Sequence, residues 1–368
     1  MASIPSSLPL VYCSPYYKKS VHSGANRRFE ELIRRFQEEF PERFILIVAK
    51  GEKPDWYHGR VFEVDYTFNH VSKFRTWYQI EKILSHLPPA LVINEFIPIP
   101  FLTLKLKRHR HCQVVYDFRY FTSTKGSLYR LLFGSFLKYQ WRYSEYIVTC
   151  SDFSIDELQK YVGFDAQKVI KSYFGIDAKL LDRGDQEVST SKTIDLLYVG
   201  HFETRKNHIN LIEALKLLPK ELVVKLVGVD NGLQTMLENR CREYGLVNVS
   251  FETINDDAKL WPLYEQSKLF VFPSIYEGFG IPLIEALSLN VPVVCSDIPV
   301  FREVGGDMAT YFDPLNPDSI AQVMSEALST PTKLDRARVR QHVDNFLWDT
   351  IYRRFVTDLL QLPTPDQR

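Results

Sequence analysis

Short runs of aliphatic and β-branched residues recur along nearly the whole chain, and stretches patterned for helices separate them. In the first half the runs fall at residues 8–12, 44–49, 91–94, 114–117 and 146–150. After a polar break they resume at 194–199, 223–227, 249–251, 269–272, 291–295 and 310–312. A strand with one wet face alternates polar and apolar residues, so continuous apolar runs of this length fit strands covered on both faces. Helical patterns between them, such as 26–40 and 208–218, imply βαβ units and parallel sheets. The polar stretch AKLLDRGDQEVSTSK, residues 178–192, interrupts the rhythm near mid-chain, and the domain boundary is expected there. The expectation is an α/β protein of two doubly wound, Rossmann-like halves, with a ligand cleft between them at the carboxyl ends of the strands. A chain of 368 residues is long enough to give each half its own core.

Composition excludes several function classes. Lysine plus arginine equals aspartate plus glutamate, 45 of each, so no global field attracts nucleic acid or an anionic membrane. Any such attraction is local. The cluster KLKRHRH, residues 105–111, is the one place where anionic headgroups or a lipid diphosphate could be met, and it also reads as a solvated surface segment. Five scattered cysteines, without a Cys-x-x-Cys pair, look like buried reduced thiols and not a disulfide or metal framework. The start of the chain lacks signal-peptide features, and no apolar run approaches the roughly 20 residues of a membrane span. The expected location is the cytoplasm, with peripheral contact at the inner face of a membrane left open.

Two motifs carry the chemistry. In SIYEGFGIPLIEAL, residues 274–287, a strand leads into a loop with Gly278 and Gly280, and Pro282 suits the first turn of a helix. Glycines let backbone approach a ligand, and a helix start offers unpaired N–H groups and partial positive charge, a good place for phosphate. Glu277 is expected in the loop and Glu285 in the first helical turn, where a carboxylate can accept two hydroxyls of a sugar diol. As plain alternatives, Glu277 is a loop carboxylate and Glu285 a favourable acid near a helix start. Pro282 occupies the position where a capping box would need Ser or Thr. The Gly278-Phe279-Gly280 triplet is not a dinucleotide fingerprint, because the third glycine position holds Leu283.

In YVGHFETRKNHINLIEAL, residues 198–215, Gly200 turns the chain, and Arg205 and Lys206 precede a helix with Asn207 as its expected cap. Two cations at a helix start oppose the helix dipole unless an anion sits there. A fork-shaped guanidinium and a compact ammonium suit a diphosphate. The bland alternative is a solvated basic turn.

Together these motifs, with the continuation SLNVPVVCSDIPVFREV, resemble the donor half of the retaining glycosyltransferases of family four, which have the GT-B fold. The resemblance implies that Glu277 touches the transferred sugar and Glu285 the ribose hydroxyls. It also implies that the loop of Phe279, Gly280, Ile281 and Pro282 faces sugar and phosphate, while Arg205 and Lys206 neutralise the diphosphate. His201 stands where many members have arginine, and Thr253 ends the segment Phe251-Glu252-Thr253 that often lines the base pocket. In the first half, Gly24 matches the glycine loop on the acceptor side. Tyr116, counted with Gly24 on the acceptor side, replaces the usual histidine before Asp117, which is counted with the catalytic set. FLWDT resembles the lead-in to a C-terminal helix that crosses back to the first domain, so the expected division is 1–182, 183–345 and a crossover segment 346–368. Asn290 replaces a common glycine.

The implied activity is transfer of a hexose, with retention, from a nucleoside-diphosphate sugar to a hydroxyl of a glycan or lipid-linked saccharide. No metal and no further cofactor is expected. GDP-mannose is the favoured donor, because the surroundings of ETRKN look like bacterial polysaccharide mannosyl- and rhamnosyltransferases. Replacing Glu277 is expected to abolish transfer and leave the fold intact. Two rivals remain. One is a phosphorylase or synthase of the same architecture, against which chain length argues for the pyridoxal-phosphate members. The other is a non-catalytic nucleotide-sugar-binding subunit, which turnover would distinguish.

Overall fold

The computed structural model describes residues 8–21, 23–67, 70–95, 108–118, 121, 134–135, 137–139, 141, 144–186, 191–254, 256–330 and 334–361. The chain divides into two units, one of residues 1–174 with 348–368, the other of Gly175–Leu347.

The first unit is built on a seven-stranded parallel sheet in the order β3-β2-β1-β4-β5-β6-β7. Its strands are β1 (Leu10–Ser14), β2 (Phe44–Ala49), β3 (Arg60–Val64), β4 (Leu91–Asn94), β5 (Arg110–Val114), β6 (Tyr146–Thr149) and β7 (Val169–Lys171). Every residue of β1, β2 and β4 is buried, as continuous apolar runs require. Helix α1 (Gly24–Glu39) starts on Ser23, whose hydroxyl accepts the Asn26 N–H at 3.2 Å. Its apolar stripe of Phe29, Leu32, Ile33 and Phe36 packs under β1 and β2 in one core cluster. Helix α2 (His70–His86) covers the opposite face, where Ile80 and Leu84 meet Val11, Cys13, Ile45 and Ile47. Helix α3 (Asp152–Val162) follows β6.

Strand β5 departs from the expected 114–117 and takes in the basic cluster. Arg110 and His111, which read as surface residues, are buried in the sheet. Arg110 pairs with Glu145 at 3.3 Å, and its guanidinium lies 5.4 Å from the Tyr146 ring centre. His109 bonds the Leu84 carbonyl at 2.9 Å, and exposed Arg108 donates to the Leu87 carbonyl at 2.9 Å. Residues 108–111 are thus tied into the fold and are not a free basic face. Lys105–Lys107 lie outside the described residues.

The second unit carries a six-stranded parallel sheet in the order β10-β9-β8-β11-β12-β13. Its strands are β8 (Ile194–Val199), β9 (Val224–Val227), β10 (Val249–Glu252), β11 (Ser267–Phe272), β12 (Val293–Ser296) and β13 (Ala309–Phe312). Its helices are α4 (Ala178–Asp185), α5 (His208–Leu215), α6 (Gln234–Glu243), α7 (Asp257–Glu265), α8 (Ile281–Ser288), α9 (Pro299–Gly305), α10 (Pro317–Ser329) and α11 (Arg336–Val343). The stretch expected to be a polar linker begins as α4. Asp177 caps it by accepting the Lys179 N–H at 2.9 Å, Leu180 and Leu181 are buried, and Asp185 binds Arg336 at 2.6 Å. These contacts place α4 in the second unit, so the boundary moves from 182 to Phe174.

The return to the first unit begins at Trp348, two residues later than expected. Helix α12 (Trp348–Leu360) puts Tyr352, Phe355, Val356 and Leu359 into the core beside Phe36. Residues 362–368 lie outside the described residues. All five cysteines are buried, and none forms a disulfide. Among the described residues no helix is long and apolar enough to cross a membrane.

Buried histidines make the fold acid-sensitive. Burial, helped by His109, pushes His111 down to about 3, and burial, helped by Lys206, does the same for His208. A folded-state value below the unfolded one means the unfolded chain binds more protons, so stability rises with pH across that interval. It is therefore lost as pH falls below about 6.5, at a cost of about 2.7 kcal/mol per histidine by pH 4.5. Urea unfolding at pH 7 and pH 4.5 checks this, and His208→Gln should flatten the dependence.

Candidate functional site

In the second sheet the chain moves outward from β8 to β9 and β10, then returns to β11 and builds the other side. Neighbouring strands β8 and β11 therefore mark the point where strand order reverses. Loops leaving their carboxyl ends diverge, which opens a crevice suited to a ligand. Both motifs singled out in the sequence lie there: β8 leads into Gly200–Lys206, and β11 into the loop that ends at α8.

Glu277 gathers the charges of both loops. Lys206 Nζ donates to its Oε1 at 2.5 Å, and Ser274 Oγ to the same oxygen at 2.9 Å. Arg205 Nη1 donates to Oε2 at 2.6 Å and to the Tyr276 carbonyl at 3.1 Å, while its Nη2 pairs with Glu203 at 2.5 Å. The Ile275 N–H bonds the Arg205 carbonyl at 2.9 Å, locking the two loops together. Glu277 is 7 % exposed and Lys206 8 %. Burial opposes ionisation of Glu277, yet Lys206 and Arg205 outweigh it and hold the carboxyl below its usual range. For Lys206 burial dominates, so the amine lies below its usual value despite the attraction of Glu277. The ammonium also lies 5.1 Å from the Phe272 ring centre.

The loop geometry depends on residues with positive φ. Gly280, at φ 120°, caps α8, and a Cβ there would meet Phe301 Cε1 at 2.9 Å. No side chain caps α8, and Pro282 stands in its first turn. Pro282 has no N–H and the Leu283 N–H donates to the Gly280 carbonyl at 3.1 Å, so what the helix start offers an anion is the Ile281 N–H and the positive end of the helix dipole. Phe279 turns its ring inward, 5.9 Å from Phe346, so only its backbone can serve a ligand. Asn290, also left-handed at φ 60°, adopts the turn that a glycine would.

Asn207 does not cap α5 as expected. It adopts φ 60° and spends its amide on the carbonyls of Pro273 at 3.0 Å and Pro314 at 2.7 Å. That choice pins the loop after β11 to the loop after β8. Glu285 lies in the second turn of α8, because the helix begins at Ile281. It is 3 % exposed and accepts the Tyr264 hydroxyl at 3.1 Å. His201 is exposed beside Asn231, and exposed Thr253 donates to the Gly228 carbonyl at 3.0 Å. Gly228 itself approaches so closely that a Cβ would lie 2.0 Å from the Gly200 carbonyl oxygen.

The structure thus brings Arg205, Lys206 and Glu277 into one cluster, with Gly200, His201, Thr253, Gly278–Pro282 and Glu285 on loops or helix starts of the same unit. Gly24, Tyr116 and Asp117 belong to the first unit: Gly24 opens α1, and Tyr116 and Asp117 follow β5. Sequence reasoning missed Ser274 and Glu203. Their only signal was position, a hydroxyl three residues before Glu277 and an acid two residues before Arg205.

Residues 184–342 match the family described as glycosyl transferases group 1. The O-antigen chain mannosyltransferase B of Escherichia coli is 30 % identical over 220 residues, covering 55 % of this chain and 57 % of that protein. The chain therefore spans little more than half the length of that curated relative. The O-antigen chain mannosyltransferase RfbU of Salmonella typhimurium is 29 % identical over 71 % of each chain. Among solved structures, the sucrose-phosphate synthase of Thermosynechococcus elongatus superposes with a TM-score of 0.78 at 18 % identity, covering 96 % of this chain and 98 % of that one. The chain resembles the family-four glycosyltransferases of the GT-B fold and, within them, bacterial mannosyltransferases.

Proposed function

We propose that this chain, whose second unit carries the glycosyl transferases group 1 signature, transfers a hexose from a nucleoside-diphosphate sugar to a hydroxyl of a glycan or lipid-linked saccharide. The observation that carries the reading is the Arg205–Lys206–Glu277 cluster at the β8/β11 switch point, beside the uncapped start of α8. With Glu203, the four charged side chains sum to zero in the unliganded protein. An arriving diphosphate draws Lys206 toward itself and frees Glu277 to accept hydroxyls of the sugar. As the sugar leaves, negative charge grows on the diphosphate, and Lys206, Arg205 and the start of α8 stabilise it. These groups supply the charge compensation for which other transferases use a divalent ion.

The reaction is proposed to retain the anomeric configuration, with the departing phosphate taking the acceptor proton. GDP-mannose is the favoured donor, a choice supported by the names of the two O-antigen relatives. Glu285 is proposed to hold the ribose, with Tyr264 orienting it. Polysaccharide assembly at the inner face of a membrane fits such an acceptor.

A thermal-shift panel of GDP, UDP, dTDP and ADP tests the donor. A ligand at 100 times its Kd adds about 2.7 kcal/mol, enough to raise the midpoint of a unit of this size by roughly 5–11 °C. GDP should give the largest rise. A panel in which no nucleoside diphosphate moves the midpoint would contradict the reading.

A further inference from the structure

The first sheet also reverses its strand order, with β2 and β3 on one side of β1 and β4 to β7 on the other. Its switch point lies between β1 and β4, and Ser14 and Glu95 stand at their carboxyl ends. Glu95 is anchored by its own N–H, which donates to the Cys13 carbonyl at 2.9 Å. Its part-buried carboxylate accepts three hydroxyls: Tyr12 on Oε1 at 2.8 Å, Ser14 on Oε2 at 2.5 Å, and Tyr116 on Oε1. A carboxylate has about four acceptor positions, so among the described residues about one is left unfilled, on Oε2. Three donors from two segments, β1 and the stretch after β5, fix the side chain before any ligand arrives.

Behind this cluster lies Arg28, only 1 % exposed. Its Nη2 donates to Ser172 at 2.8 Å, and its guanidinium carbon lies 5.8 Å from the Tyr116 ring centre and 5.4 Å from that of Phe355. Its Nε and Nη1 have no hydrogen-bond partner among the described residues. The cation is therefore not paired directly with Glu95; hydroxyls stand between them, and the carboxylate keeps its spare acceptor position. A carboxylate so placed attracts hydroxyl donors and repels phosphate.

We propose that Glu95 is the sugar-binding residue of the first unit, taking a hydroxyl of a neutral hexose, with Tyr116 as its positioning residue. That the hexose belongs to the acceptor glycan rests on the transferase reading above. It also explains the tyrosine at position 116: its hydroxyl serves Glu95.

Saturation-transfer NMR on the full chain tests this with methyl α-mannoside, methyl α-glucoside, methyl α-galactoside and mannose 6-phosphate. The wild type should bind at least one methyl hexoside more tightly than the phosphate. Glu95→Gln should weaken that binding at least tenfold, and Tyr116→Phe severalfold, with GDP affinity unchanged in Tyr116→Phe and its thermal midpoint lowered only by the loss of one hydrogen bond to a charged group. Absence of hexoside binding, preference for the phosphate, or wild-type affinity in Glu95→Gln would overturn the proposal. Should Glu95→Gln fail to fold, wild-type affinity in Tyr116→Phe overturns it. Nucleotide-sugar turnover by the wild type is scored separately, so loss of this site and loss of the transferase reading give different results.

Discussion

Glu277→Gln should abolish transfer and also lower stability by about 3 kcal/mol, the cost of removing one partner from a buried ionic cluster. The carboxylate is nearly inaccessible and satisfies two cations and a hydroxyl. A neutral amide leaves Lys206 buried without its main counter-charge. Lys206→Met is the informative contrast, because Glu277 then keeps Arg205 at 2.6 Å and Ser274 at 2.9 Å. Its stability loss should be smaller, on the order of 1–2 kcal/mol, while transfer falls by at least about a hundredfold for want of charge stabilisation on the leaving group. Urea midpoints and turnover, measured on the same two preparations, separate the roles. Equal stability loss in both would mean that the cluster does not centre on Glu277. The expectation from sequence, that replacing Glu277 spares the fold, gives way here because burial turns a loop acid into a structural counter-ion.

Phe355→Ala should cost about 3–5 kcal/mol, the range for truncating a large buried aromatic. Phe355 is wholly buried, 6.2 Å from Phe36 ring to ring, and Tyr352 lies 5.2 Å from the same ring. Deleting residues 348–368 removes these two together with Val356 and Leu359 from the core cluster that contains α1 and β1. At roughly 1.5–3 kcal/mol per buried apolar side chain, the loss matches the whole stability of an ordinary domain. Amide hydrogen exchange should then show α1 and β1 unprotected. Unchanged protection in the truncated chain would show that α12 is not part of that core.

How much of this was legible depended on where polar groups sit. Residues 44–49, 91–94 and 194–199 were readable as β2, β4 and β8 because nothing but apolar side chains fills most of them. Strand β3, with Arg60 and Glu63, and three-residue β7 carry too little apolar pattern to register. Strand β5 misled for a sharper reason: Arg110 is buried by pairing with Glu145 and His111 by its place inside the sheet, neither of which a local pattern reveals. The site divides in the same way. Glycines, Pro282 and the Arg205-Lys206 pair marked out both turns from local chemistry. Their convergence on Glu277, 71 and 72 positions away, comes only from the adjacency of β8 and β11. Asn207 looked like a cap, and the fold uses its amide as a brace. Glu95 gave no signal at all, since its three partners come from β1 and from the loop after β5.

The most direct test of the central claim is proton NMR of a reaction with GDP-mannose and an octyl α-mannoside acceptor, run with wild type and Glu277→Gln. The wild type should release GDP and an α-linked disaccharide, and the variant should give no product. A β-linked product, product formation by Glu277→Gln at the wild-type rate, or no product from the wild type with GDP-mannose or any other nucleotide sugar would contradict it.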